Sequence, residues 1–293
     1  MERIMKKAAV PYERRGEWAV LPASRADAAP IPDKLQKQLK SAGEWVEQAG
    51  RLHIRLFPAE SLRFSPVWAA IDILYEDDFC LVANKPAGMA VHPTAPDDAA
   101  ITLANAVAAH YESTGQAVRV RHIHRLDADT TGPVLYAKNP LAQHRLDEAM
   151  RQKQITRMYL ALVHGRPREH KGTINAAIGR DRHHPKRRRI SPAGQPAVTH
   201  FTVVESFRSA ALLRLQLETG RTHQIRVHVS AQGHPILGDL LYGGKPMAGL
   251  ARQALHGAQL AFPHPWTGEP IAVEAPMAAD MQQALNALRG QMD

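Results

Sequence analysis

The run Arg121-His122-Ile123-His124-Arg125-Leu126-Asp127-Ala128-Asp129-Thr130-Thr131-Gly132 holds the residues best suited to chemistry. Two carboxylates, Asp127 and Asp129, stand on a short loop beside Arg125, and the two threonines close that loop on Gly132. Val134, Leu135 and Tyr136 follow as an apolar run, so the loop is expected to enter a buried strand directly. A carboxylate fixed by a strand and flanked by basic residues suits chemistry better than packing. The plain alternative is a surface Arg–Asp pair ahead of a strand, which stabilises little. From these residues alone, either Asp127 or Asp129 could be the working group.

Other chemistries find less support. The chain has 16 histidines, and His122 and His124 would share one face of a strand. His183-His184 and His223…His228 lack the helical i, i+4 ligand spacing, and there is no HExxH or CxxC, so no metal site is expected. No P-loop or dinucleotide glycine fingerprint occurs, since Gly243-Gly244-Lys245 lacks the length and the following Ser/Thr. No Gly-x-Ser-x-Gly elbow occurs either. Cys80 is the single cysteine; it lies in the apolar run 79–83 and reads as a small buried hydrophobe. What remains is a carboxylate working with neither metal nor cofactor.

The elements that must hold this loop can be read from periodicity. Ile71 to Tyr75 and Cys80 to Ala83 read as two strands joined at Glu76-Asp77-Asp78. Thr102 to Tyr111 has helical spacing, and Asn139-Pro140 reads as an N-cap and first-turn proline for a helix to about Lys153. Thr156 to Val163, Phe201 to Val204, Leu212 to Leu217 and Ile271 to Val273 read as strands. Thr222 to Gly233 reads as an amphipathic helix with Ile225 and Val229 on one face, and Met277 to Leu288 as another helix. Strands outnumber helices without strict alternation, which points to an α+β fold with a mixed, largely antiparallel sheet. Residues 1–68 differ: they are rich in proline and charge clusters, with a helix expected from Pro32 to about Ala49 and a short strand at Arg51 to Leu56. They are assigned to a small N-terminal module or arm, with RNA binding left open as its role, and residues 69–293 to the main domain.

Charge narrows the partner. Thirty-seven Lys and Arg against 28 Asp and Glu give a formal charge of +9 over 293 residues. This favours a polyanion, because each phosphate neutralised releases counterions. The segment 180–189, Arg-Asp-Arg-His-His-Pro-Lys-Arg-Arg-Arg, concentrates the charge in a hairpin-like excursion between strands. It is either a solvated loop or a basic finger laid along RNA phosphates, and the overall charge favours the finger. The segment Met1 to Lys7 carries no apolar core of signal-peptide length, and no stretch approaches the roughly 20 apolar residues of a membrane span. A cytoplasmic protein without membrane contact is expected.

Four segments stand in order: Asn84-Lys85-Pro86-Ala87-Gly88, the loop segment 121–132, Arg157-Met158-Tyr159, and Arg221-Thr222-His223-Gln224-Ile225-Arg226-Val227-His228. Together they resemble the RluA-type RNA pseudouridine synthase family over about residues 70–290. The run 233–239 with Tyr242-Gly243, Leu255-His256, and the run 262–265 match it too, and are read as scaffold and pocket turns. The family breaks the N-glycosidic bond of uridine, rotates the uracil and rejoins it through carbon, a reaction that suits a carboxylate nucleophile. The resemblance implies a catalytic domain of pseudouridine synthase type and selects Asp127 over Asp129 as the catalytic carboxylate. It further implies that Tyr159 stacks on the target base, that Arg226 pairs with the aspartate, and that Arg125 fills the space left by the extruded nucleotide. Without it, Tyr159 reads as a half-buried strand residue and Arg226 as a solvated helix position. Pro133 stands where the family usually has a larger apolar residue, which stiffens the turn after the loop.

The expectation is therefore an RNA pseudouridine synthase acting as a monomer on structured RNA, ribosomal ahead of transfer RNA because of Val91-His92-Pro93. It is expected to use Asp127, Tyr159 and Arg226 in catalysis and no cofactor. Arg125, His124, Arg221, Lys186, Arg187 and Arg188 are expected to bind the RNA. The rivals are a catalytically silent RNA-binding protein on the same fold, and an N-glycosylase that releases the base.

Overall fold

A computed structural model of the chain describes residues 10–93 and 100–290. The segment read for a leader, Met1 to Lys7, lies outside the described residues. In chain order, an N-terminal sheet is built from β1 (Glu13–Arg15), β2 (Trp18–Pro22), α1 (Asp33–Ser41), β3 (Trp45–Gln48) and β4 (Arg51–Ile54). Next come β5 (Asp72–Glu76), β6 (Cys80–Lys85), α2 (Leu103–Ser113), β7 (Arg121–His122), β8 (Gly132–Ala137) and α3 (Pro140–Arg151). The remainder is β9 (Thr156–His164), β10 (Lys171–Asn175), β11 (Ile178–Arg180), β12 (Arg188–Ile190), β13 (Val198–Ser206), β14 (Ala210–Leu217) and α4 (Gln224–Ala231). The chain then closes with β15 (Leu255–Pro263), β16 (Pro270–Glu274) and α5 (Ala279–Arg289).

The largest sheet has the order β10-β13-β14-β9-β15-β16, and every pairing in it is antiparallel. A second antiparallel sheet, β5-β6-β8-β7, carries the loop of interest between its last two strands. Side chains of β6 and β8 are almost all buried and alternate between two hydrophobic cores. Leu81, Ala83, Val134 and Tyr136 enter the core shared with the large sheet, α2 and α5. Cys80, Val82, Leu135 and Ala137 enter the core shared with α3 and the N-terminal strands. A strand presents successive residues to opposite faces, so this small sheet is a partition buried on both sides. That explains why β6 and β8 read as continuous apolar runs.

Local sequence explains most element ends. Asn139 caps α3 by accepting from the Ala142 N–H at 2.8 Å, ahead of Pro140 at the first turn. Thr102 and Asn105 form a reciprocal cap at the start of α2. One expectation is overturned: the helix from Pro32 ends at Ser41, not near Ala49. Gly43, at φ 71°, breaks the chain there, and Trp45–Gln48 turns back through Ala49-Gly50 as a hairpin with β4. The β-favouring Trp45 and Val46 gain a strand partner that a longer helix would deny them. His122 and His124 do not share a strand face either, because β7 stops at His122 and His124 turns into the interior. The N-terminal strands, ordered β1-β2-β4-β3, pack onto the second core through an aromatic group of Tyr12, Phe57, Phe79 and Trp266. The Trp266 indole N–H donates to the Val10 carbonyl at 2.7 Å, and Tyr12 Oη donates to Asp78 at 2.7 Å. No helix among the described residues is long and apolar enough to cross a membrane.

The six-stranded sheet and the β5-β6-β8-β7 sheet meet at Gly132 and Gly257. Thr131 bridges His256 in parallel, and the Gly257 N–H donates to the Thr131 carbonyl at 2.7 Å. Gly132 has φ 125°, and a Cβ there would lie 2.3 Å from the Gly257 carbonyl oxygen. Gly257 also stands in register with Tyr159 on β9. Gly132 cannot carry a side chain without moving the loop away from the large sheet, and a Cβ on Gly257 would press on the Pro133 ring at 3.1 Å. We expect Gly132→Ala to destabilise the protein by about 2–5 kcal/mol, from overpacking plus a disfavoured backbone. Urea unfolding against the unchanged chain checks this, and a loss below about 1 kcal/mol would mean the sheets do not meet as described.

Candidate active site

The loop between β7 and β8 is held at its backbone by two buried cations. Lys85, 1% exposed, donates from Nζ to the Pro86, Met89 and Ala128 carbonyls. Burial pushes its ammonium down to about 7, against the opposing pull of Asp129 and Asp127. Arg252 donates from Nη1 to the Asp129 carbonyl at 2.9 Å while its other nitrogens grip Asp280 at 2.7 and 2.8 Å. Thr131 Oγ1 pairs with His256 Nδ1 at 2.8 Å. Asp127 and Thr130 close a turn, with the Thr130 N–H donating to the Asp127 carbonyl at 3.0 Å. Leu126 is buried in the first core, so the side chain of Asp127 points the other way.

It points into a cavity of about 1060 Å³. Asp127, Tyr159 and Arg226 all line it, and Asp129 does not. Asp129 is exposed and contributes its backbone carbonyl, so the geometry separates the two carboxylates that the loop sequence left open. Arg226 lies nearly 100 positions from the loop, on α4, and its Nη1 donates to Asp127 Oδ2 at 3.2 Å. Its Nε and Nη2 form a fork on Asp239 at 2.7 and 2.8 Å. Burial works against the Arg226 charge, but Asp239 and Asp127 outweigh it and hold the guanidinium above its ordinary range. Tyr159 is buried on β9 with its ring at the cavity wall, and burial raises its phenol.

Helix α4 is buried on all sides rather than half-solvated, because its polar residues have internal partners. Gln224 donates to the Val198 carbonyl and Thr199 Oγ1, both at 3.0 Å, and accepts from the Arg221 N–H. His228 is held between Thr199 Oγ1 and the Ala176 carbonyl, both at 2.9 Å. These bonds fix the rotation of the helix and so aim Arg226 at the loop. At its start, His223 has φ 58°; its Nδ1 is 2.7 Å from Tyr242 Oη and its Nε2 is 3.9 Å from Asp127 Oδ2. Burial lowers the His223 imidazole, with Asp127 pulling the other way.

The residues expected to meet RNA are spread around the rim. Arg125 is exposed and donates to Thr222 Oγ1 at 3.2 Å, while Arg221 donates from Nε to the Pro196 carbonyl at 3.0 Å. The basic segment is the antiparallel hairpin β11–β12. Arg188 lines the cavity, and its N–H donates to Tyr242 Oη at 2.8 Å. Lys186 and Arg187 are exposed at the hairpin tip and do not line the cavity; Arg187 lies 3.9 Å from Asp181. His124 lines the cavity, but its Nε2 accepts from the Leu135 N–H at 3.3 Å, and burial pushes its imidazole down to about 3. His122 stacks on His92 with centroids 4.7 Å apart, a contact the strand reading did not foresee.

Residues 79–231 match the RNA pseudouridylate synthase family. The chain belongs to the RluA-type RNA pseudouridine synthase family. It is 49% identical over 239 residues to YhcT of Bacillus subtilis (strain 168), an uncharacterized RNA pseudouridine synthase, covering 81% of this chain and 78% of that one. It is 44% identical to ribosomal large subunit pseudouridine synthase D of Vibrio parahaemolyticus, covering 75% and 71%. Human RNA pseudouridylate synthase domain containing 4 superposes with a TM-score of 0.62 at 27% identity, covering 74% of this chain and 92% of that one. As a member of this family the chain is an isomerase acting on RNA.

Sequence reading did not assign Asp239, His223, Tyr242, Lys85 or Arg252 to the site. Four of them lie in segments that were quoted or read as scaffold. An aspartate after Gly238, inside the apolar turn 236–241, is a signal that could have marked Asp239. Arg252 carries no local signal. The double grip of Arg226 has a measurable consequence. Arg226→Met leaves Asp239 buried without its partner and should cost about 3–5 kcal/mol of stability. Arg226→Met with Asp239→Asn should recover a good part of that loss, because the two sites are coupled. Denaturant unfolding of both single variants and the double variant tests this, and strict additivity would break the pairing.

Proposed function

We propose that this enzyme isomerises specific uridines in structured RNA, ribosomal RNA ahead of transfer RNA, through Asp127. The observation that carries the reading is the cavity itself. Asp127 on its anchored loop faces it, with the Arg226 guanidinium at 3.2 Å and Tyr159 lining the same cavity. The C1′–N1 bond of uridine breaks, the uracil turns, and a C1′–C5 bond forms. C5 loses its proton and N1 ends up protonated, so the product has the mass of the substrate. Asp127 supplies the negative charge that stabilises or traps the sugar or base in between. Arg226 supplies the counter-charge and holds the carboxylate in place. Tyr159 stacks on the target base, and Arg125, exposed at the rim, fills the gap left in the RNA.

Arg188 at the cavity, with Lys186 and Arg187 at the hairpin tip, then tracks the phosphates, while Arg221 and the buried His124 line the cavity that receives the base. The relative from Vibrio parahaemolyticus is named for the large ribosomal subunit, and this supports ribosomal RNA as the substrate here. In this reading residues 69–293 are the catalytic domain, and residues 1–68 form a small module that extends the RNA contact.

Mapping pseudouridine in ribosomal and transfer RNA from cells with and without this protein tests the substrate; loss at defined ribosomal positions is expected. Asp127→Asn should abolish that modification while RNA binding survives. Turnover within tenfold of the unchanged enzyme would move the catalytic role elsewhere, and release of free base would make the protein an N-glycosylase. Neutral replacements of residues 186–189 should weaken RNA binding and reduce the slope of log affinity against log salt by roughly two to three. An unchanged slope would leave the hairpin as solvated surface.

A further inference from the structure

We propose that His223 is a positioning residue for Asp127, held by Tyr242 so that its Nε2–H faces the carboxylate and linked through Tyr242 to the basic hairpin. The inference rests on the reading of Asp127 as the working carboxylate. His223 sits at the start of α4 in the left-handed region, φ 58°, which for a residue other than glycine costs about 1–3 kcal/mol. Its own carbonyl accepts from the Val227 N–H at 2.9 Å, so the backbone is locked and the ring is thrown back over the site. Such a cost at a cavity wall points to a role for the side chain.

Hydrogen-bond accounting decides which nitrogen carries the proton. Tyr242 Oη lies 2.8 Å from the Arg188 N–H, which can only donate, so the hydroxyl oxygen accepts there. The hydroxyl proton then goes to His223 Nδ1 at 2.7 Å, which must be the bare nitrogen. Nε2 therefore bears the hydrogen, 3.9 Å from Asp127 Oδ2. The opposite tautomer would leave the Tyr242 proton without an acceptor among the described residues. Facing His223 are two acids, Asp127 and Asp239, two bases, Arg226 and Arg188, and the Tyr242 hydroxyl. Burial and the two arginines keep the ring neutral, so it acts as a directed donor.

The present separation is too long for a hydrogen bond and is one that closes when substrate fills the cavity. Arg226 Nη1 and His223 Nε2 then converge on the same oxygen, Oδ2. Oδ1 of Asp127 has no partner among the described residues and is left as the oxygen turned to the substrate. Because Tyr242 is pinned by the hairpin amide of Arg188, the position of the donor depends on where the hairpin lies. RNA seated on the hairpin and the aim of Asp127 are thereby coupled through two side chains.

The test compares His223→Leu with His223→Gln, which carry the same backbone penalty while only glutamine keeps an N–H near the Nε2 position. On a ribosomal RNA transcript holding the mapped uridine, His223→Leu should lower the single-turnover rate at saturating RNA on the order of tenfold to a hundredfold. Its RNA dissociation constant should stay within about threefold, and His223→Gln should recover most of the rate. A second measurement needs no turnover. Nitrogen-15 NMR should show His223 as the Nε2–H tautomer at neutral pH, and Tyr242→Phe should raise its titration toward the ordinary value near 6.5 by removing the donor to Nδ1. An Nδ1–H tautomer, a His223→Leu rate within twofold of the unchanged enzyme, or equal losses in the leucine and glutamine variants would overturn the proposal. If the unchanged enzyme modifies no RNA while the tautomer is as stated, the functional reading fails and the geometry of the pair stands.

Discussion

A single guanidinium, that of Arg226, joins parts of the chain that share no local pattern. Its fork closes on Asp239 from the turn after α4, and its remaining nitrogen reaches Asp127 on the loop between β7 and β8. Burying one cation between two carboxylates costs desolvation of all three, and only close hydrogen-bonded geometry offsets it. The fork on Asp239 supplies most of that geometry. Arg226 is thus fixed in place independently of Asp127, and presents it with a donor that does not need to reorganise.

The loop that carries Asp127 is fixed by a different device. Irregular backbone at a cavity exposes carbonyls that no strand partner satisfies. Lys85 and Arg252 supply the donors, at Ala128 and Asp129. Thr131 and Gly132 meanwhile join the large sheet at His256 and Gly257. The carboxylate is followed directly by two anchored carbonyls and then by a glycine contact that admits no side chain. Precision of this kind, on a loop with no regular structure, depends on buried charge rather than on packing alone.

The partition sheet links this loop to the rest of the molecule. Strands β6 and β8 send alternate side chains into two cores, one under the large sheet and one under the N-terminal strands. The N-terminal strands and the active-site loop therefore lean on opposite faces of the same two strands. Tyr12 and Arg14 reach Asp78, one residue from Asp77, whose carboxylate His264 and Tyr75 hold well below its ordinary range although burial opposes this. The N-terminal segment is built onto the strand turn that begins β6.

The sequence by itself determined whatever depends on neighbours close along the chain. Apolar runs gave β6, β8 and β9; Asn139-Pro140 gave the start of α3; the ordered motifs gave the family and drew attention to Asp127, Tyr159 and Arg226. Helix α1 was read too long because a periodic pattern does not reveal that Trp45 and Val46 have a strand partner in β4. Tertiary structure shows that Asp127, the aspartate the family motif selects, is the one that faces the cavity, since within the loop the two differ only in which way it turns them. It alone decided that Arg226 is held by Asp239, that Arg252 holds Asp129, and that Gly257 makes room for Gly132. Each of these is a contact between residues whose separation in sequence carries no periodic signal. Charge pairing and close backbone approach act through space, and only the folded chain brings the partners within reach.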